Sequence, residues 1–399
     1  MARAPVLLAA AVAALGAALF ASILRHDWLS DIQGHNELVA IAAETGHFPP
    51  NGLYYRCVAA LAGFSTDRAD LAPAAAILLT LAVVAKFLAA CRVGGREVHK
   101  GGGAVTPLFL AGVFGVTLAM NLPLTPLGGG SPGWSWDRIA GRMYLGFIPP
   151  NVWHNSTTIF LMPFALALFG VSLRYLDRPN PASAAAIAAL CLLNVAIKPS
   201  YFFVFAVVFP AFALVRFRLR RDFWLAVLPV LAAGLFLLDQ YRAIFAAGSV
   251  YDEFYRRLGL PTEGGVRVAF LHVWRLLTPD IGLAVLGSFA YPLCFLAVRG
   301  REVLRDRGYL YTLAHVVVAV GIFALLAEKG VREGHANFLW QAVVCTHLWF
   351  LMTWAAHWRQ LRRGGGPGAG DALVIGVFVL HVAAGVAYYV KYFATGHFL

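Results

Sequence analysis

Four polar clusters interrupt an otherwise apolar chain, and each brings together groups that can move a proton or hold an anion. The first opens at Asp31, in DIQGHNE, with His35 four residues on and Glu37 and Glu44 beyond. A carboxylate can act as general base toward an attacking hydroxyl, and an imidazole at i+4 shares its helix face and could hold a proton or a metal. An Asp is equally a favoured start for a helix, whose free N–H groups attract negative charge, and spacing alone does not separate the two roles. The second cluster is IPPNVWHNSTT (148–158). Its Trp153, His154, Asn155, Ser156, Thr157 and Thr158 set an aromatic face beside donors and acceptors, the combination that sugars require. Trp also belongs at membrane surfaces, and Ser or Thr caps helices. The third is IKPSYF (197–202), where Lys198 precedes a helix-breaking Pro199. A cation at membrane depth either snorkels to the surface or holds an anion such as phosphate. The fourth is EKGVREGHANFLW (328–340), with Glu328, Lys329, Arg332, Glu333, His335 and Asn337. The guanidinium of Arg332 matches phosphate oxygens, although a solvated loop would have the same composition. The run Tyr251–Arg257 reads as mostly surface.

These clusters must be positioned by membrane helices. Of the 399 residues, 60% are hydrophobic and 13% charged, and mean hydropathy is +0.71. That leaves too little polar surface for a cytosolic enzyme, a secreted disulfide scaffold or a disordered chain. Apolar runs near 20 residues match the thickness of a bilayer, so the fold class is an all-α polytopic membrane protein. Spans are expected near 5–24, 70–91, 103–121, 157–175, 183–197, 200–216, 223–240, 279–298, 308–327, 337–356 and 371–392, about eleven transmembrane helices. The first run is longer than the apolar core of a signal peptide and reads as a retained span. With the N-terminus inside, every second loop is short and basic: 92–100, 174–178, 216–221, 299–307 and 359–363. With Arg3 these loops hold 17 of the 32 Lys and Arg residues, the pattern of cytoplasmic loops. The net charge of +12 thus reflects topology, with no nucleic-acid partner.

The chain reads as one integral-membrane domain, 1–399, without a soluble domain, in the cytoplasmic membrane. The long loops 25–69, 122–156 and 241–278 fall outside. Counting 52–64 as a span would invert every later loop, so it is expected to lie on the membrane surface. Residues 31–46 are amphipathic, with Leu38, Ile41, Ala42 and Thr45 on one stripe and Gly46 as the stop. The first outer loop, 25–69, therefore carries two surface helices separated by HFPP (47–50). Cys57, Cys91, Cys191, Cys294 and Cys345 show no metal spacing and read as inert core thiols.

The order of parts in the first 95 residues resembles the GT-C superfamily of polyprenyl-phosphate-sugar-dependent glycosyltransferases. It is most similar to the branch with the protein mannosyltransferases and the bacterial aminoarabinose transferase. One span is followed by an outer loop that opens with Asp31; a surface helix ends at Gly46; and Pro49, Pro50, Leu53, Tyr54 and Tyr55 form a second motif at the next helix. Two departures are that Ile32 stands where the branch carries a second acid and that no His directly precedes the Pro pair. The resemblance implies an inverting glycosyltransferase, with Asp31 as base, acting on a lipid-linked sugar and an extracytoplasmic acceptor such as a glycolipid, polysaccharide or protein. Substrate contacts are then expected from His35, Tyr54, His154, Asn155, Lys198, Arg332 and Asn337, with Lys198 or Arg332 on the phosphate. The resemblance fixes no cofactor; some of the superfamily use a divalent metal, and that requirement stays open.

Two other readings remain. A transporter or flippase would show internal repeats, broken helices and ionisable groups at mid-membrane. An envelope polysaccharide polymerase or ligase would place its large outer loop late in the chain. No phosphate-binding loop, GxSxG or HExxH is present. Asp27 and Glu37 are close enough in sequence to Asp31 to compete for the role of base.

Overall fold

Short polar side chains set where the apolar runs become helices. The computed structural model describes residues 3–25, 30–124, 146–244, 249–261, 264–363 and 367–396. In chain order these form α1 (Arg3–Arg25), α2 (Asp31–Thr45), α3 (Leu53–Leu61), α4 (Arg68–Lys100), α5 (Pro107–Leu118), α6 (Ser156–Asp177), α7 (Pro181–Ile197) and α8 (Ser200–Phe217). There follow α9 (Arg221–Ile244), α10 (Val250–Arg257), α11 (His272–Leu277), α12 (Ile281–Val303), α13 (Arg307–Leu325), α14 (Trp340–Arg363) and α15 (Ala369–Thr395). Asp67, Thr106, Asn155, Asn180, Asp280 and Asp306 each accept a hydrogen bond from a backbone N–H in the first turn of the helix that follows. Such caps satisfy donors that have no partner inside the helix.

Nine of the described helices, α1, α4, α6, α8, α9 and α12 to α15, are long and apolar enough to cross a membrane. Large apolar side chains on them face outward, among them Leu81, Val215, Leu235, Val317 and Leu380. The protein is an all-α polytopic membrane protein, apart from one small ribbon in which Val266–Val268 (β1) pairs antiparallel with Leu326–Glu328 (β2). The innermost helix is α14, packed against α4, α5, α8, α12 and α13. Its Thr346, His347, Thr353 and His357 are all buried.

Three expectations change. The run at 103–121 is not one full-length helix: α5 has 12 residues, about 18 Å. The chain then continues without helix, and its backbone finds partners on α12 and α15, with the Leu122 N–H donating to Gly287 O and the Met120 N–H to His381 O. Such a stretch is tolerated in a membrane protein only where protein surrounds it. The run at 183–197 forms α7 with 17 residues, shorter than the nine. The basic segment 92–100 is not a loop but the end of α4, 33 residues long. Gly94 allows close approach there, since a Cβ on it would sit 3.1 Å from Phe109 and 3.2 Å from Leu351.

Residues 30–67 carry the two short helices expected there, α2 and α3. Gly46 ends α2 at φ +71°, where glycine alone is unstrained, and α3 has only nine residues, too few to span. Leu38, Ile41 and Ala42 are buried, whereas Thr45 is exposed and its hydroxyl returns to Ile41 O. The five cysteines are free and half-buried or buried.

The basic segments all meet at one end of the bundle. Arg96 and Lys100 pair with Asp177, Arg216 donates to Leu176 O, and Arg359 reaches both Asp306 and Glu97 O. Arg299 pairs with Asp371 at the start of α15. Asp31, Asn155, Lys198 and Arg332 gather at the opposite end of these helices. Single cysteines at Arg218 and Glu44 should therefore be labelled by an impermeant maleimide from opposite sides of sealed vesicles. Labelling of both from one side would break the alternation of loops.

Candidate functional site

Helix α2 is capped by Ser30, not by Asp31. The Ser30 N–H donates to Gln33 Oε1 at 3.1 Å. Asp31 is thus the first helical residue, and its carboxylate turns across the fold, where Asp31 Oδ2 accepts from Asn155 Nδ2 at 2.7 Å. Asn155 caps α6 with its oxygen, which accepts from the Thr158 N–H at 3.0 Å and from the Thr158 hydroxyl at 2.6 Å. The same oxygen accepts from Lys198 Nζ at 3.0 Å and Thr157 Oγ1 at 3.2 Å. One side chain therefore joins the start of α2, the start of α6 and the lysine at the α7–α8 break. The oxygen of Asn155 is filled by these bonds, so it acts as a brace between Asp31 and Lys198 more than as the expected sugar contact.

Lys198 reaches this point because Pro199 cannot continue α7 and the backbone turns extended at Lys198, with φ −164° and ψ 119°. Its ammonium also donates to Thr157 Oγ1 at 3.2 Å and lies 5.0 Å from the centre of the Trp340 ring. Burial lowers this amine to about 7, against the pull of Asp31 and Glu328. Burial alone would raise the carboxyl of Asp31. The neighbouring His154 and His35, the Asn155 amide and Lys198 outweigh it, and Asp31 sits below its ordinary value. It is ionised at neutral pH.

Burial lowers His35 to about 4 despite Asp31, and lowers His154 as well. Near pH 7 both are neutral imidazoles. His35 Nδ1 lies 2.6 Å from Ser156 Oγ, and its ring meets Tyr55 edge-on at 5.6 Å.

A second group stands on the segment after β2. Glu328 accepts from Arg332 Nε at 3.0 Å on one oxygen and from Asn337 on the other. Arg332 lies 5.1 Å from the centre of the Tyr251 ring, and Tyr251 donates to Asn51 at 3.3 Å. Both groups line one cavity of about 1200 Å³. Its polar side carries Asp31, Asn155, Lys198, Glu328, Arg332 and Asn337, and its apolar side Phe203, Gly234, Leu237 and Leu238. On the same helix Leu228, Leu231 and Leu235 are exposed and do not line the cavity, so α9 bounds the cavity with one side and carries exposed apolar residues on another.

Six of the eight expected residues, Asp31, His35, Asn155, Lys198, Arg332 and Asn337, line this cavity. Tyr54 and His154 are not among the residues that line it. Tyr54 is fully buried against His35 and Phe160, while His154 packs edge-on against Trp340 at 5.8 Å. The next residue along α3, Tyr55, takes the place expected of Tyr54. Glu37 stands on the mouth, paired with Arg68, and Glu44 pairs with Arg257 at the surface. Asp27 lies outside the described residues. The patch at 251–257 divides by helical phase: Tyr251, Phe254, Tyr255 and Leu258 line the cavity, while Arg256 and Arg257 are exposed. That i, i+3, i+4, i+7 spacing is legible in the sequence.

Among the described residues no three His, Cys, Asp or Glu side chains group as a metal site. Beside Asp31, the Asn155 amide and Lys198 would compete with a divalent cation. No protein-family model and no curated protein matches the chain.

Lys198 should titrate near pH 7. Competitive acylation followed by mass spectrometry should show its amine reacting several pH units below an exposed lysine. An anion bound beside it should be held less tightly as pH rises through 7, because the ammonium is lost. A midpoint near 10 would mean that the amine is not buried as described.

Proposed function

We propose that the protein is a GT-C-like glycosyltransferase that moves a sugar from a polyprenyl-phosphate donor to the hydroxyl of an extracytoplasmic acceptor. The observation that supports this best is the sharing of Asn155 by Asp31 and Lys198 within one cavity that is polar at one side and apolar along α9. A base and a cation held a fixed distance apart suit a displacement in which a proton is taken at one place and negative charge appears at another. The apolar side suits a lipid chain entering from the membrane.

In this reading the acceptor hydroxyl gives its proton to the carboxylate of Asp31 as its oxygen attacks the anomeric carbon. The bond from that carbon to the phosphate oxygen breaks, and polyprenyl phosphate leaves with the electron pair. Lys198 stabilises the charge that develops on the phosphate. A single displacement inverts the anomeric centre. Neutral His35 and His154 sit close to Asp31 without protonating it, which keeps the base free. Arg332, held by Glu328, faces the same space and offers donors to phosphate or sugar oxygens. By the positive-inside rule the basic end is cytoplasmic, which puts the cavity outside.

Asp31→Asn keeps the size of the side chain and removes its ability to take a proton. Transfer by the purified protein, assayed with a panel of polyprenyl-phosphate sugars, should fall by roughly 10²–10⁴-fold, with the thermal midpoint little changed. Glu37→Asn should leave transfer nearly intact, since Glu37 sits in an ion pair at the mouth. Normal transfer by Asp31→Asn would remove Asp31 as base. Lys198→Ala should weaken donor use by about 1.5–3 kcal/mol, the worth of a hydrogen bond to a charged group. Unchanged donor kinetics would take the phosphate away from Lys198.

A further inference from the structure

Lys86 carries an amine inside the membrane-spanning part of α4, 3% exposed, and it forms no ion pair among the described residues. An ammonium at that depth is costly and is retained where it has a specific partner. Its Nζ donates to Asn151 Oδ1 at 2.7 Å and lies 4.9 Å from the centre of the Trp153 ring. Asn151, itself fully buried, donates to Val116 O at 2.8 Å and Ala119 O at 2.7 Å, the carbonyls where α5 ends early.

The segment from Gly146 to Asn155 is non-helical yet almost wholly buried between membrane helices. Every contact on it is therefore a constraint on where it ends. The Ile148 N–H donates to Ser288, His347 Nδ1 reaches Pro150 O at 3.1 Å, and Trp274 Nε1 donates to Gly146 O at 2.7 Å. Two residues after Trp153 comes Asn155, the brace between Asp31 and Lys198.

We propose that Lys86 is a positioning residue for the cavity. It acts through Asn151 and Trp153 to fix the path of residues 147–155, and so the place at which Asn155 meets Asp31 and Lys198. Among the described residues, neither Lys86 nor Asn151 nor Trp153 is part of the cavity lining. The role rests on the reading of the cavity as a catalytic site only for its consequence in sugar transfer; the geometry can be tested without transfer.

The test follows the acylation rate of Lys198 near pH 7 in the full-length protein, with Lys100 at the basic end as internal control. Lys86→Met removes the donor to Asn151. The Lys198 rate should change by about fivefold, the worth of one buried hydrogen bond, while the Lys100 rate and the overall helicity stay as in wild type. Lys86→Gln keeps a donor for Asn151 and should stay within about twofold of wild type by the same measure. If Lys86→Met does not yield folded protein, Asn151→Ser takes its place, with the same change expected at Lys198. An unchanged Lys198 rate in the folded variant overturns the proposal, whatever sugar transfer shows. A change in Lys86→Gln as large as in Lys86→Met overturns the route through Asn151. A shifted Lys198 rate in a protein that transfers no sugar would support the positioning role and count against the transferase reading alone.

Discussion

The site depends on one amide. Asn155 has a donor and an acceptor at the end of a short side chain, and the fold uses both. Its N–H₂ goes to Asp31 and its oxygen to Lys198 while capping α6. A carboxylate in that place would bind Lys198 but repel Asp31; an alkyl group would leave both charges buried without partners. A neutral brace lets opposite charges sit near each other without collapsing into a direct ion pair. Three helix termini must converge for this to happen, which explains why α2 begins at the mouth, α6 ends its N-cap inside and α7 breaks at Pro199.

The polar interior extends the same logic toward the membrane centre. Lipid hydrocarbon offers no hydrogen-bond partner, so non-helical backbone groups at this depth depend on the surrounding protein. His381, Asn151 and His347 supply partners to the stretches at 116–122 and 146–155. These side chains make the broken course of α5 stable, and that course leaves room for the buried segment leading to His154 and Asn155. Packing against glycine completes the arrangement. At Gly112 a Cβ would overlap the Trp354 ring, and at Gly385 it would overlap Leu118 O, so neither position admits a larger residue without movement.

The helices were largely readable from the sequence because length, hydropathy and N-caps are local properties. The end of α4 was not, because its basic and glycine-rich composition reads as a loop until Gly94 is seen against Phe109 and Leu351. The short α5 was equally hidden, since its end is fixed by groups on α12 and α15, far away in sequence. In the site, residue types were legible but pairings were not. Asp31 reads both as a helix start and as a base, and its place after the Ser30 cap and its contact with a residue 124 positions away become visible only in the fold. Tyr54 and Tyr55 differ only by helical phase on a nine-residue helix, too short for periodicity to choose between them.

Two of the cations that line the cavity, Lys198 and Arg332, differ in a way that bears on its chemistry. Arg332 forms a 3.0 Å ion pair with Glu328, and its charge is already balanced. Among the described residues Lys198 donates to neutral acceptors, Asn155 and Thr157, with an aromatic face beside it. An incoming anion therefore gains most at Lys198, where it would meet an incompletely compensated charge and help to keep the amine protonated. At Arg332 it would first have to compete with Glu328. The geometry thus separates the cations into one suited to hold an anion and one suited to hold shape, with Glu328 keeping both Arg332 and Asn337 in place on the cavity lining.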